Sequence, residues 1–502
     1  MKCKPFVILL ILMAYGFFLR IYNLGNQSLW IDECYSITAA VGMMENLVPH
    51  MPSGVLYLRG ILHTSMVSLS MSLLGISEFS ARLPSVIFGV LTIAIVYLFS
   101  KRMFNERVSL LTALVVTFSV VETAWSRQAR MYQQLQFFYI LSLYAFHRYL
   151  KNRRKKFGIL TAISVLAAGL SHSLGFSLLI IIPLYVLLLN IKTLRNADFK
   201  NILTERRTIL AISLLIAGLF LAEWFSGAFA YVLNAGMDYS QQYLRYLKTF
   251  FPVFLYLSVI GAVAAFRENW RDSLLPIIAL VIPLPFISFG IKLLGYRYIF
   301  FIIPLMFMFF SKSLDWVTRF LAGNRERIQN ILFILLCVLI LLVPGMNAIP
   351  TDTYYLEPSA PQPDFNSVYD YLNENRNPGD VLVSSYPEIA LWFNQTPDYW
   401  LAFAISGFSP ERWMDGTRIY YKRTMTPAIK NFDDLKNVIE TSESGWIVID
   451  SLAGSRIPKS YWRILKEKTE WVDKASKPGF AGAVNLYRWG SKAKLTLYNP
   501  AP

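Results

Sequence analysis

The sequence predicts a polytopic α-helical membrane protein. It has about eleven transmembrane helices, interfacial helices in the first external loop, and a small external α/β domain at the C-terminus. Three observations carry this. The 502 residues are 55% hydrophobic and only 16% charged, below the roughly 25% charged share of an average soluble chain. Apolar runs of about 17 to 20 residues recur from Phe6 to Val343, the length a helix needs to cross a hydrocarbon core. The basic residues are unevenly spread: residues 1–350 hold 31 Lys/Arg against 14 Asp/Glu, whereas residues 351–502 hold 17 against 18.

The first run, 5–22, reads as a retained helix rather than a signal peptide. It lacks a small-x-small cleavage site and leads into aromatic and acidic residues. Further spans fall at 83–100, 108–124, 132–149, 157–172, 175–191, 208–225, 250–266, 273–290, 298–311 and 328–345. Alternate loops then sort by charge. "KRMFNER", "RYLKNRRKK", "KTLRNADFKNILTERR", "RENWRD" and "SKSLDWVTRFLAGNRER", with Lys2 and Lys4, carry 22 Lys/Arg. The positive-inside rule makes that side cytoplasmic, N-terminus included, in a multi-pass plasma-membrane protein. Ile61–Gly75 is apolar but short, and counting it as a span would reverse every later loop. It reads as an interfacial helix on the outer leaflet. The net charge of +16 thus reports orientation and does not point to nucleic acid. Cys3, Cys34 and Cys337 are too few and scattered for a disulfide framework or a zinc site.

Near Pro350 the character changes, which divides the chain into a membrane domain, 1–350, and an external domain, 351–502. "EPSAPQPD" is a Pro-rich linker. "FNSVYDYLNENRNPGDVLVSS" reads as an amphipathic helix, a turn and a buried strand. "GWIVIDS" is another strand, and Trp462–Trp471 looks helical. About 150 residues is an ordinary domain size.

The topology places Asp32, Glu33, Arg59, Arg82, Arg127, Arg130, His172, Glu223, Asp238 and Arg297 on the external face. Acids at a helix exit are often simply solvated, or serve the N-terminus of the next helix. Asp32 and Glu33, however, are enclosed by Leu29, Trp30, Ile31 and Tyr35. A partly desolvated carboxylate gains proton affinity and can act as a general base. In "AWSRQARMYQQ", Arg127 and Arg130 are three apart and would share a helix face. Headgroup snorkelling is the plain reading; phosphate recognition by paired guanidiniums is the other. Arg297 stands between two tyrosines, with Lys292 nearby. A lone histidine such as His172 is ordinarily a turn residue, and Glu223 and Asp238 are candidate second carboxylates. A base and anion-holding arginines beside a bilayer suit displacement at a sugar carbon whose leaving group is a lipid phosphate. The cytoplasmic side shows no P-loop or dinucleotide fingerprint.

The order of an apolar first helix, "LWIDE", "GISEFSARLPSVIFGVLTIAIVYLFSKRMF", "WSRQARMYQ" and "YRYIFFIIP" resembles glycosyltransferase family 39. That group comprises the protein mannosyltransferase-like and aminoarabinose transferase-like members of the GT-C superfamily. The likeness spans about residues 5–345. It implies a GT-C catalytic membrane domain and an inverting transfer from a polyprenyl-phosphate sugar to a glycan, lipid or protein acceptor at the external face. It implies Asp32 as catalytic base with Glu33 as its partner. Arg130, or else Arg127, would contact the donor phosphate, with Arg297 as a second phosphate residue. Arg59, Tyr132, His172 and Asp238 complete the substrate-binding set. The sequence calls for no metal site or fixed cofactor, and leaves room for a divalent cation. Departures are "PSGVLYLRGILHT" where many relatives carry Pro-Pro-Leu, no acid within "ARMYQ", and a tail unlike the lumenal domain of protein-mannosylating members. The other readings are a transporter or flippase of a lipid-linked substrate, and a non-catalytic membrane subunit. The lack of an internal repeat and the grouping of candidate charges at one face speak against transport.

Overall fold

The structure, a computed structural model, describes residues 5–189, 238–290, 294–323, 325–354, 363–401, 412–415, 418–454, 457–472 and 483–490. The expected span 208–225, Glu223 and Lys292 lie outside the described residues. In chain order the helices of the first half are α1 (Pro5–Ile21), α2 (Ile31–Asn46), α3 (Ile61–Leu74), α4 (Glu78–Met103), α5 (Glu106–Phe118), α6 (Val120–Ser126), α7 (Tyr132–Asn152), α8 (Lys155–Ser171) and α9 (Leu178–Leu189). After the gap come α10 (Ser240–Phe250), α11 (Pro252–Val281), α12 (Pro283–Phe289), α13 (Ile303–Ala322) and α14 (Glu326–Ile340). Short 3-10 turns cover Ser173–Ser177 and Tyr296–Ile302. The chain parts into two compact units. One holds Met1–Leu24, Arg59–His63 and Arg82–Tyr354; the other holds Gly25–Leu58, Thr64–Ala81 and Tyr355–Pro502. The second unit therefore joins residues 25–58 and 64–81 to the tail.

The first unit is helical. Glu78–Met103, Pro252–Phe289 and Tyr296–Ala322 are long and apolar enough to cross a membrane; Pro5–Ile21, Ile61–Leu74 and Ser173–Leu189 are shorter apolar helices. α11 and α13 form the most extensive helix pair, and α7 packs along α8. Gly261 makes the first pairing close, since a Cβ there would overlap the Phe309 carbonyl. Small residues bring apolar helices together in this way. α11 is broken at Asn269 (φ −153°, ψ 83°). The Asn269 side chain caps the second half, accepting from the Asp272 N–H at 3.3 Å and donating to its carboxylate at 2.9 Å. The break falls inside "RENWRD", where the sequence puts a loop. Elsewhere a loop expectation is corrected: "SKSLDWVTRFLA" continues α13 to Ala322. Lys312 and Asp315 are buried there, because Lys312 pairs with Glu268 at 2.6 Å and Asp315 with Arg319 and Asn105. Paired charges can stay inside a helix bundle where lone ones would end the span.

The second unit is built on a six-stranded sheet. Its strands are β1 (Val381–Ser384), β2 (Tyr399–Leu401), β5 (Ala428–Ile429), β6 (Ser444–Asp450), β7 (Glu470–Trp471) and β8 (Val484–Gly490); β3 (Arg412–Asp415) and β4 (Arg418–Tyr421) form a separate antiparallel pair. The order is β5-β2-β1-β6-β8-β7, with β5, β2, β1 and β6 parallel and β8 antiparallel to β6. Val383 faces Ile447 across the central pair. Parallel strands are covered on both faces, which is why "VLVS" and "WIVID" read as nearly continuous apolar runs. α15 (Phe365–Asn375), α16 (Pro387–Trp392), α17 (Phe432–Thr441), α18 (Ser451–Gly454) and α19 (Lys459–Lys468) complete the unit. Leu435, Val438, Ile464 and Leu465 from two of them pack on Val383, Ile447 and Ile449.

One polar knot holds the sheet edge-on. Asp380, before β1, accepts from Ser444 Oγ, from Trp446 Nε1 at 2.9 Å and from the Asn377 N–H at 2.9 Å. Burial pushes this carboxyl up, but those hydrogen bonds and Arg488 hold it below the usual value. A depressed folded value contributes stability above the unfolded pKa of about 3.9, and that contribution is lost as pH falls further. The tail is therefore expected to lose stability below about pH 4. Asp380→Asn should weaken the unit at pH 7 and flatten that acid dependence, as read from thermal midpoints of the purified protein across pH.

Candidate active site

Within the first unit three rings form a triangle. Tyr132 and His172 have centroids 5.6 Å apart, His172 and Tyr298 6.0 Å, and Tyr132 and Tyr298 6.4 Å. Three guanidiniums surround it. Arg59 Nη2 donates to Tyr298 Oη at 3.4 Å. Arg130 lies 5.8 Å from the Tyr132 ring centre and Arg297 5.4 Å from that of Tyr298, both within cation–π range. All three act electrostatically on His172. Trp125 extends the aromatic wall, 5.0 Å from Tyr132. Like charges gathered round polarisable rings favour an anion among them.

Local geometry explains the convergence of segments so far apart in sequence. Arg59 precedes Gly60, which adopts φ +67° and passes so close that a Cβ would lie 3.0 Å from the Ser171 carbonyl and 3.1 Å from Met131 Cβ. Only glycine meets both demands cheaply. Arg59 is thereby set beside the neighbours of Ser171 and Met131, namely His172 and Arg130. His172 is the extended residue that ends α8, and its Nδ1 accepts from the Leu174 N–H at 3.2 Å. It is a turn residue and a wall of the ring triangle together. Arg297 and Tyr298 come from the 3-10 turn Tyr296–Ile302 that feeds α13.

Arg127 goes elsewhere. Its guanidinium donates to the carbonyls of Leu19, Arg20, Tyr22 and Asn23 at the end of α1, and to that of Asp352, while stacking 5.1 Å from the Tyr354 ring. Arg82 donates to the Leu24 carbonyl at 3.0 Å, and buried Arg20 donates to Gly16, Val116 and Thr117. Arg127 and Arg82 serve carbonyls at and just past the C-terminus of α1, and Arg20 serves those in the last turn of α5. The expectation that Arg127 and Arg130 share a helix face is corrected: α6 ends at Ser126 and α7 starts at Tyr132, so both arginines lie in the turn between. Arg127→Lys is expected to lower stability by on the order of 3 kcal/mol while leaving donor affinity unchanged. Thermal midpoints and lipid-phosphate titration of the same preparation check this.

Asp32 and Glu33 occupy the first turn of α2, in the second unit. The helix dipole favours acids there. Glu33 is 0% exposed, whereas Asp32 is partly exposed. Asp238 is exposed and caps α10 through the Ser240 N–H at 2.8 Å. This hydrogen bond holds its carboxyl below the usual value.

Residues 59–225 match the family model for dolichyl-phosphate-mannose-protein mannosyltransferases. ArnT from Cupriavidus metallidurans, solved with bound undecaprenyl phosphate, superposes over 95% of this chain and 97% of its own with a TM-score of 0.57 at 13% identity. The apo oligosaccharyltransferase of Archaeoglobus fulgidus superposes over 94% of this chain and 73% of its own with a TM-score of 0.60 at 12% identity. The chain shares the fold of these two structures. A protein of Aquifex aeolicus (strain VF5) is 25% identical over 293 residues; the match takes in 57% of this chain and spans about half, 53%, of that relative.

Two members of this cluster escape sequence reading. Tyr298 completes the triangle, and its signal is the second tyrosine of "YRY". His63 lies four residues after Arg59 and next to Arg130; burial first, then Arg130, lowers its pKa to about 3. It is neutral at physiological pH, so the positive charge of the cluster comes from guanidiniums. Among the described residues no group of three or more His, Cys, Asp or Glu side chains could hold a metal ion.

Proposed function

We propose that this protein is an integral-membrane inverting glycosyltransferase of the GT-C type. It moves a sugar from a polyprenyl-phosphate donor to a glycan, lipid or protein acceptor at the external face of the plasma membrane. The observation that carries the reading is the gathering of Arg59, Arg130 and Arg297 round Tyr132, His172 and Tyr298. The similar structures support it, since ArnT is described with undecaprenyl phosphate and the A. fulgidus enzyme with dolichol phosphate and an inhibitory peptide. The proposal keeps eleven spans, a cytoplasmic N-terminus and an external tail.

In this reading the three arginines hold the donor phosphate and the rings line its approach. Asp32 takes the proton of an acceptor hydroxyl, whose oxygen attacks the anomeric carbon from the face opposite the phosphate. The bond from carbon to phosphate oxygen breaks, and its electron pair leaves with polyprenyl phosphate, whose growing charge the guanidiniums stabilise. Glu33, buried beside the base, holds the turn. Binding to the purified protein in nanodiscs tests the phosphate site. Undecaprenyl phosphate is expected to bind and undecaprenol, which lacks the phosphate, is expected not to. Equal affinity for both would refute phosphate recognition.

A further inference from the structure

The tail and α2 belong to one compact unit, and the contacts within it are specific. Before α2, Ser28 Oγ accepts from the Phe365 N–H at the start of α15, at 3.1 Å. α2 packs against α16. One turn past Asp32, the Arg423 guanidinium lies 3.5 Å from the centre of the Tyr35 ring, the closest cation–ring approach among the described residues. Arg423 also reaches the fully buried Glu388 on α16 at 3.8 Å and donates to Tyr421 Oη at 3.3 Å. Tyr421 Oη is 3.1 Å from Tyr35 Oη. The Arg423 carbonyl accepts from the Ser53 N–H at 3.0 Å, tying in the segment after α2.

We infer that Arg423 is a positioning residue for the reaction: by clamping Tyr35 between the tail strand β4 and α16, it fixes the roll of α2 and hence the aim of Asp32. The proposal rests on the reading of Asp32 as base. The physical argument is one of helix geometry. Asp32 and Tyr35 are three residues apart and so project from neighbouring positions on one face. Rotating α2 about its axis moves both together, and a planar cation stacked on a ring resists that rotation. Glu388, fully buried on α16 and 3.8 Å away, anchors the far side of the guanidinium. The tail is thereby part of the catalytic apparatus. A base held loosely by about 1 Å loses up to about a hundredfold in rate.

The test uses the full-length protein in nanodiscs with a polyprenyl-phosphate sugar that the wild type turns over. Arg423→Ala is expected to lower kcat at least about tenfold with donor KM and undecaprenyl-phosphate affinity unchanged. Tyr35→Leu should do the same, and Tyr35→Phe, which keeps the ring, should recover most of the loss. That recovery also keeps the idea testable if Arg423→Ala fails to fold. Full kcat in both Arg423→Ala and Tyr35→Leu, or a loss that Tyr35→Phe shares in full, would overturn the positioning role. Asp32→Asn is run alongside. If it is inactive while those variants are not, only the positioning role falls; if it retains wild-type turnover, the base reading falls and this inference with it.

Discussion

Asp32→Asn is expected to reduce sugar transfer by about 10²- to 10⁴-fold, the contribution usual for a positioned general base. The substitution keeps size and shape and removes only the ability to take a proton. Donor affinity and thermal midpoint should stay at wild-type values, because Asp32 is partly exposed on the first turn of α2. Glu33→Gln should behave differently. Glu33 is 0% exposed, so its loss is expected to show first as a lower thermal midpoint, with activity falling in step with folded protein. Steady-state rates set beside melting curves separate the two carboxylates. A Glu33→Gln variant that is stable and dead, beside an active Asp32→Asn, would exchange their roles.

Arg130→Ala should weaken donor binding. A hydrogen bond to a charged group contributes about 1.5–3 kcal/mol, so the donor KM is expected to rise about 10- to 100-fold. Arg130→Lys should recover only part of this, because an ammonium cannot make the planar two-pronged contact with a phosphate. The lost affinity should also reduce the salt dependence of donor binding. The comparison with Arg127→Lys is the informative one. Arg130, beside the Tyr132 ring, should affect binding and leave stability near wild type; Arg127, spent on the end of α1, should do the reverse.

The sequence shows more of the fold than of the site, for reasons visible in particular residues. Long apolar runs announce helices such as α4 and α11 because hydrocarbon-facing side chains must be apolar along the whole span. The helix at 365–375 and the strands at 381–384 and 444–450 stand where "FNSVYDYLNEN", "VLVS" and "GWIVID" put them. α2 was harder to see, since "IDECYSITAAVGMMEN" mixes small, polar and apolar residues without a clean helical stripe. The second half of α13 is hidden in the sequence because Lys312 and Asp315 look like loop residues until their partners Glu268 and Asn105, far off in sequence, are known. The arginines show the limit most clearly. Arg127 and Arg130 have the same composition and nearly the same neighbours in sequence. What separates them is a turn between two helices and the carbonyls of α1, over a hundred residues upstream. Arg59 and Arg297 could be listed as external charges, but their meeting at Tyr298 depends on the close passage allowed by Gly60.

The most direct measurement of the central claim is product formation by the purified wild-type protein in nanodiscs, offered polyprenyl-phosphate sugars and nucleotide sugars in parallel. A proposed transferase of this kind should release polyprenyl phosphate from a lipid-linked donor, with inversion at the anomeric carbon, and leave the nucleotide sugars intact. Consumption of a nucleotide sugar, or transbilayer movement of the lipid-linked sugar with its glycosidic bond unbroken, would contradict the account.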